Sequence, residues 1–268
     1  MIQHSRFVHP LALSVSLSVL TPSAFAQAFD AVRLYGAAPN KDGGRAGLAV
    51  IAGREYQGSD ERRTMAVPLI EYQWANGWFV GTTNGIGYNF SDRRDIQYGL
   101  RLTADFGRKE NRSRALRGMG DIDASAEFGG FLNYPISKEV VLISSLRYGA
   151  GRDSKGMLVD LGAGYSTELS SDLRLGLGVA ATLANADYMQ SYFGVTAAQA
   201  ARSGYSSYKP GGGLRDVRAN LSLTYRINPS ISATAAVSAG MLSGDAKDSP
   251  LVRKKSTITG VLALAYSF

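Results

Sequence analysis

The chain of 268 residues is 45% hydrophobic and 19% charged, with 31 glycines, 14 tyrosines, 10 phenylalanines and no cysteine. Its mean hydropathy of −0.08 is too polar for a helical membrane protein, and without cysteine a stable exported form has to do without disulfides. The formal charge of +7 raises nucleic acid as a partner, yet no basic domain is set apart along the chain, so nucleic acid is excluded.

Residues 1–26 read as a cleaved secretory signal peptide: Arg6 in the n-region, an apolar stretch over 11–20, and Ala24-Phe25-Ala26 as a small-x-small cleavage site. About ten apolar residues interrupted by serines cannot span a bilayer, which needs roughly 20. No later run reaches spanning length, so a membrane would be crossed by strands. No linker divides residues 27–268, which are expected to form one outer-membrane barrel domain.

Strand patterns follow in chain order at 46–54, 64–74, 78–82, 85–90, 96–106, 122–134, 140–148, 157–167, 173–183, 217–227, 231–241 and 256–268. The ninth is the most regular, with Leu173, Leu175, Leu177, Val179, Ala181 and Leu183 set against Arg174, Gly176, Gly178, Ala180 and Thr182. Gly162, Gly164, Gly176 and Gly178 are expected to face inward and leave room for bulkier lumen residues. In the last strand Ile258, Leu262, Leu264, Tyr266 and Phe268 share one face, opposite Thr257, Thr259, Ala263, Ala265 and Ser267. Such a strand would aggregate unless its edge were paired, and closing a barrel onto the first strand pairs it. The expected fold is all-β: a transmembrane, up-and-down, antiparallel β-barrel of about twelve strands. The ending resembles that of outer-membrane barrels, which implies an assembly signal at Tyr266 and Phe268.

The connections sort by length. Those at 91–94, 135–138, 170–171 and 228–229 are short and belong to the periplasmic side; those at 107–120, 184–214 and 243–255 are long and external. The longest carries Tyr188, Tyr192, Phe193, Tyr205 and Tyr208, too aromatic for a disordered linker, and is expected to be a folded loop or a lumen plug. Gly211-Gly212-Gly213 lacks the setting of a phosphate loop and reads as flexible chain.

The only histidines, His4 and His9, fall in the signal segment, so residues 27–268 hold neither His nor Cys. That removes Ser-His and Cys-His chemistry and the usual transition-metal sets, and no catalytic residue, metal site or cofactor is expected. Asp121, Asp123 and Glu127 form the densest acidic group, and alternation with Ile122, Ala126 and Phe128 points Asp123 and Glu127 into the lumen. Arg101, Asp105, Asp160, Arg174, Arg218 and Arg226 are the other expected lumen charges. Arg108, Lys109, Arg112, Arg114 and Arg117 cluster in one external loop, with Arg253, Lys254 and Lys255 at the outer start of the last strand; outer-membrane lipid and the phosphates of lipopolysaccharide are the expected contacts of the first group.

Four runs in order, Tyr56-Gln57-Gly58-Ser59-Asp60, then 116–123 (Leu116 to Asp123), then Tyr192-Phe193-Gly194-Val195 with Ser203-Gly204 and Tyr208, and Asp248-Ser249-Pro250-Leu251-Val252, resemble the MipA/OmpV family of outer-membrane proteins. The resemblance implies a non-enzymatic scaffold in the outer membrane that links a murein hydrolase, a lytic transglycosylase, to a peptidoglycan synthase of the penicillin-binding protein type. Members that resemble narrow porins or surface-interaction and adhesion barrels give the alternative. A scaffold would use residues 27–44 and the turns near Asn76, Arg93, Lys138, Ser171 and Pro229 as its periplasmic surface.

Overall fold

A computed structural model describes residues 42–92, 95–151 and 155–268. The signal segment, residues 27–41 of the expected periplasmic surface, and Arg93 lie outside the described residues. Twelve strands run in chain order: β1 (Gly43–Arg54), β2 (Arg62–Gln73), β3 (Trp78–Gly81), β4 (Gly85–Asn89), β5 (Gln97–Asp105), β6 (Ser125–Pro135), β7 (Val140–Ala150), β8 (Lys155–Glu168), β9 (Leu173–Ala184), β10 (Gly213–Arg226), β11 (Ile231–Leu242) and β12 (Ser256–Ser267). Each pairs antiparallel with its sequence neighbours, and β12 closes on β1 from Arg45 opposite Ser267 to Ala52 opposite Gly260. The expected barrel is the observed one.

Alternation explains the wall. Leu48 and Val50, Leu175's neighbour Leu177, and Ile258, Leu262 and Leu264 are exposed on the outside, where lipid replaces water. Trp74, Trp78, Phe90, Tyr98, Tyr134, Tyr165, Tyr225, Tyr266 and Phe268 gather at the short-turn end, the aromatic girdle of one membrane interface. There Phe268 exchanges two backbone hydrogen bonds of 3.0 Å with Gly44, and its ring stacks 6.2 Å from Tyr266. The inside differs around the circumference. Ala49, Ile51, Met65, Leu69, Ala236 and Val261 make an apolar patch of the interior wall on β1, β2, β11 and β12, whereas a chain of buried ion pairs runs over β6, β7, β8 and β10.

Two departures from regularity matter. β6 starts at Ser125, so Asp123 stands before the strand, 72% exposed, and does not point into the lumen as expected; Glu127 does. The ladder between β9 and β10 shifts register between Leu214 and Asp216, a bulge at Arg215. Arg215 and Asp216 are consecutive residues, yet both are buried inside the barrel.

Candidate functional site

The loop between β9 and β10 folds into two helices, α1 (Ala186–Phe193) and α2 (Ala197–Ser203). Asn185 caps α1, its side-chain oxygen accepting from Tyr188 N at 3.1 Å and from Met157 N of β8 at 2.9 Å, which fixes the helix to the wall. Thr196 and Gln199 form a capping box on α2, and Gly204, at φ +77°, ends it in the left-handed conformation that glycine adopts freely. Tyr188, Met189, Tyr192 and Phe193 sit on one face of α1 and pack with Ile122, Leu158, Ala184, Leu242 and Ala246, so α1 lies across the outer mouth.

Polar groups lock this cap. Tyr192 Oη donates to Asp105 at 2.5 Å, Arg108 Nη1 to Tyr192 O at 2.8 Å, Arg215 Nη1 to Tyr188 Oη at 3.0 Å, and Ser249 Oγ to Phe193 O at 2.6 Å. Burial pushes the Tyr188 hydroxyl up to about 12 and raises that of Tyr192 as well, where the Asp105 carboxylate adds to the effect. A second set of bonds ties the loops together: Tyr56 Oη to Leu251 O at 2.8 Å, Tyr205 Oη to Ala115 O at 3.1 Å, and Gln199 Nε2 to Met119 O at 2.6 Å. Gly118 and Gly120, both with φ near +80°, turn their N–H groups onto the Glu110 carboxylate at 3.0 and 2.6 Å, which holds that carboxyl below its usual range. The four sequence runs singled out above therefore meet in one place, the outer cap.

Beneath the cap runs a buried ionic belt. Glu127 of β6 meets Arg147 of β7 at 3.1 Å, Arg147 meets Asp160 of β8 at 3.0 Å, and Asp160 meets Arg218 of β10 at 3.4 Å. Asp216 bonds Arg218 at 2.6 Å and Arg215 at 2.5 Å, while Thr182 of β9 donates to Asp160 at 2.6 Å. The cations Arg147, Arg215 and Arg218 are matched by the carboxylates Glu127, Asp160 and Asp216, which is what keeps burial of so many charges tolerable.

On the other side of the belt a cavity of about 530 Å³ opens toward the short turns. Arg101, Asp160 and Arg218 stand at its inner end, and Arg45, Glu71, Arg174 and Thr224 stand near its mouth. Arg101 donates to Ser145 at 2.6 Å; Arg45 pairs with Glu71, which also accepts from Thr83. Phe79 and Phe131 meet edge to face at 5.9 Å within it.

The predicted residues distribute unevenly over this plan. Arg101, Asp105, Asp160 and Arg218 are lumen groups as expected, whereas Arg174 pairs with Glu168 near the periplasmic mouth and Arg226 is exposed at the rim. The five loop cations do not form one outward patch. Arg108 is buried beneath Tyr192, and burial lowers its pKa; Lys109 is held by Asp123 at 2.6 Å and Asp121 at 3.1 Å. Arg112 approaches Glu55 and Arg114 approaches Glu61, each at 3.9 Å, and Arg117 is exposed. Arg147, Arg215 and Asp216 were not singled out by sequence; the bulge hides the last two, because it breaks the alternation that finds inward residues.

No curated protein matches the chain. Among solved structures, the barrel is similar to the NanC porin in a rhombohedral crystal form (TM-score 0.44, 12% identity, 82% of this chain and 98% of that one). It is also similar to the KdgM porin in complex with disordered oligogalacturonate (TM-score 0.42, 11% identity, 84% and 99%) and to a bacterial polysaccharide outer membrane secretin (TM-score 0.46, 12% identity, 85% and 99%). Residues 46–268, from early in β1 through β12, match the family described as MltA-interacting protein MipA, and the chain belongs to that family.

Proposed function

We propose that this outer-membrane barrel is a non-enzymatic scaffold, holding a lytic transglycosylase beside a peptidoglycan synthase of the penicillin-binding protein type, and that it is not an open pore. The observation that carries the reading is the outer cap: α1 packs on Ile122, Leu158, Ala184, Leu242 and Ala246 above the ionic belt, and so narrows the lumen where a pore would need a path. The family description, which names an interaction with MltA, supports the choice of a murein hydrolase as partner. The surface available to periplasmic partners is the ring of turns near Asn76, Lys138, Ser171 and Pro229, to which residues 27–44 and the turn at Arg93 would add area. Small turns bind weakly alone, since stable interfaces bury at least about 1,000 Å². Confinement of a lipid-anchored enzyme in the same membrane raises its effective concentration and offsets that weakness. Export by a cleaved signal peptide and assembly through Tyr266 and Phe268 belong to the same reading.

The test is a pull-down of purified lytic transglycosylase by the wild-type barrel and by a variant altered at Lys138, Ser171 and Pro229, run beside conductance measurements in planar bilayers. Binding that the variant loses, with no conductance, supports the scaffold. Absence of binding together with steady solute flux would hand the protein to the narrow-pore reading, which the polar cavity favours.

A further inference from the structure

β2 has 12 residues, but β3 has 4 and β4 has 5, so the hairpin they form reaches only partway up the wall. β3 pairs with β2 over Glu71–Gln73 alone, and the contact is continued by Thr82, whose N–H bonds to Ile70 O at 2.9 Å and whose hydroxyl accepts from Ile70 N at 3.3 Å. Even-numbered residues of β2 therefore aim their backbone groups at this side. Above Ile70 the N–H and C=O groups of Thr64 and Ala66, with the C=O of Pro68, have no hydrogen-bond partner among the described residues. On the far flank, β4 pairs with β5 only up to Leu102. The result is a notch in the outer half of the wall, with the β3–β4 tip as its floor. Its upper edge is crossed by the loop after β5, where Ala115 and Leu116 pack on Tyr56. Bare backbone groups facing hydrocarbon cost several kcal/mol each, so an occupant is required.

The charge above the notch says which. Arg54 and Arg62 are directly opposed in the β1–β2 ladder and continue the outward-facing series of Ala52 and Thr64. Like charges so placed repel. Arg54 donates to Asp60 O at 2.9 Å, and neither arginine has a carboxylate within 4.0 Å among the described residues. Arg114, whose side chain is 87% exposed, lies beside them through Glu61. The free edge presents three acceptors and two donors, so its complement carries N–H or O–H groups as well as acyl chains. Pro68 removes a donor from the strand and works against addition of a protein strand.

We propose that this notch is a binding site for an anionic glycolipid of the outer leaflet, of the lipopolysaccharide class, whose phosphates sit on Arg54, Arg62 and Arg114 and whose amide- and hydroxyl-bearing acyl chains lie along Thr64–Pro68. The site does not depend on the scaffold reading. It replaces the five-residue loop cluster with a set in which only Arg114 is retained.

The chain has no cysteine, so Ala66→Cys gives a unique probe position, with Val237→Cys on the lipid-facing side of β11 as control. Each is labelled with an environment-sensitive fluorophore and titrated in detergent with purified lipopolysaccharide or with phosphatidylglycerol. Expected are a saturable response to lipopolysaccharide at position 66 alone, weakened at least tenfold by R54Q/R62Q/R114Q and reduced by salt, and a weak response to phosphatidylglycerol. An unchanged response in the triple variant, equal responses to the two lipids, or equal responses at 66 and 237 would overturn the site. Unlabelled Ala66→Cys adds a second readout: disulfide-linked dimers in bilayers would give the notch to a second copy of the chain, against the proposal. The substitutions lie on the outer surface, and retention of the heat-sensitive gel shift confirms that each variant has folded.

Discussion

At the outer end a folded loop lays its aromatic face across the lumen and reaches buried charges, whereas at the periplasmic end short turns ring an open cavity that none of the described residues packs across. The same twelve strands thus serve two constructions. The outer one spends Tyr188, Tyr192, Arg108, Arg215 and Asp216 on closure; the periplasmic one leaves polar side chains to water. What the difference teaches is where the chain tolerates change: a substitution in the closed half removes partners that nothing can replace, and one in the open half is compensated by solvent.

The largest expected effect follows from breaking the belt. Asp216→Ala leaves Arg215 without its carboxylate and takes an ion-pair partner from Arg218, and removing one partner of a buried pair costs about 3–5 kcal/mol. Urea unfolding followed by gel mobility should show it. The matching change in the open half, Glu168→Ala, removes an exposed partner of Arg174 and should move the same midpoint by less than about 1 kcal/mol. Equal shifts would erase the contrast between the two ends.

How far the sequence foretold this plan can be argued from single residues. All twelve strands were legible, because a wall with lipid on one side writes a period of two into every segment, as in Leu173 to Leu183. The aromatic content of the long loop also foretold order there. The belt was legible at Asp160 and Arg218 but not at Arg215 and Asp216, where one inserted residue turns two neighbours inward. Arg108 sits in a basic run that looks solvated. Only the fold shows that its backbone bridges to Ile122 and its side chain passes under α1. The notch was hidden for another reason: the short third and fourth strands were visible, but which edge they leave bare depends on pairing between strands.

Loosening the cap without touching the barrel sharpens the comparison next. Phe193 is fully buried against the outer loops, and Phe193→Ala should destabilise the docked loop by about 3 kcal/mol while the twelve-strand ladder stays intact. Limited proteolysis should then cut within residues 185–212 under conditions that spare the wild type. Conductance should appear in bilayers if the cap is what closes the lumen. Cleavage without conductance would show that the belt alone is the seal.

Alkaline pH tests the same closure through its tyrosines. An undocked tyrosine ionises near 10, while burial keeps Tyr188 protonated to about 12 and raises Tyr192 as well. Between those values the undocked state binds fewer protons, so docking is at full strength below pH 10 and weakens as pH rises through 12, by roughly 2–3 kcal/mol for Tyr188. Tyrosinate absorbance and protease sensitivity should rise together in that window.

The smallest effect compares two asparagines that do the same local task at opposite ends. Asn185 accepts from Tyr188 N and from Met157 N, joining the first turn of α1 to β8; Asn228 accepts from Ser230 N at 2.9 Å and Ile231 N at 2.8 Å inside one periplasmic turn. Asn185→Ala should cost about 1 kcal/mol, the usual loss for a helix cap, because Met157 N and Tyr188 N then lose their shared acceptor between packed elements. Asn228→Ala should cost less, a few tenths of a kcal/mol, since water reaches the freed N–H groups of an exposed turn. Hydrogen exchange at Met157 and Tyr188, against Ser230 and Ile231, reads the difference directly. Faster exchange confined to the mutated turn is expected for Asn228→Ala, and faster exchange spreading through α1 for Asn185→Ala. If the first spread as widely as the second, the periplasmic turns would be as tightly coupled as the cap, and the division of the barrel into a closed and an open half would fail.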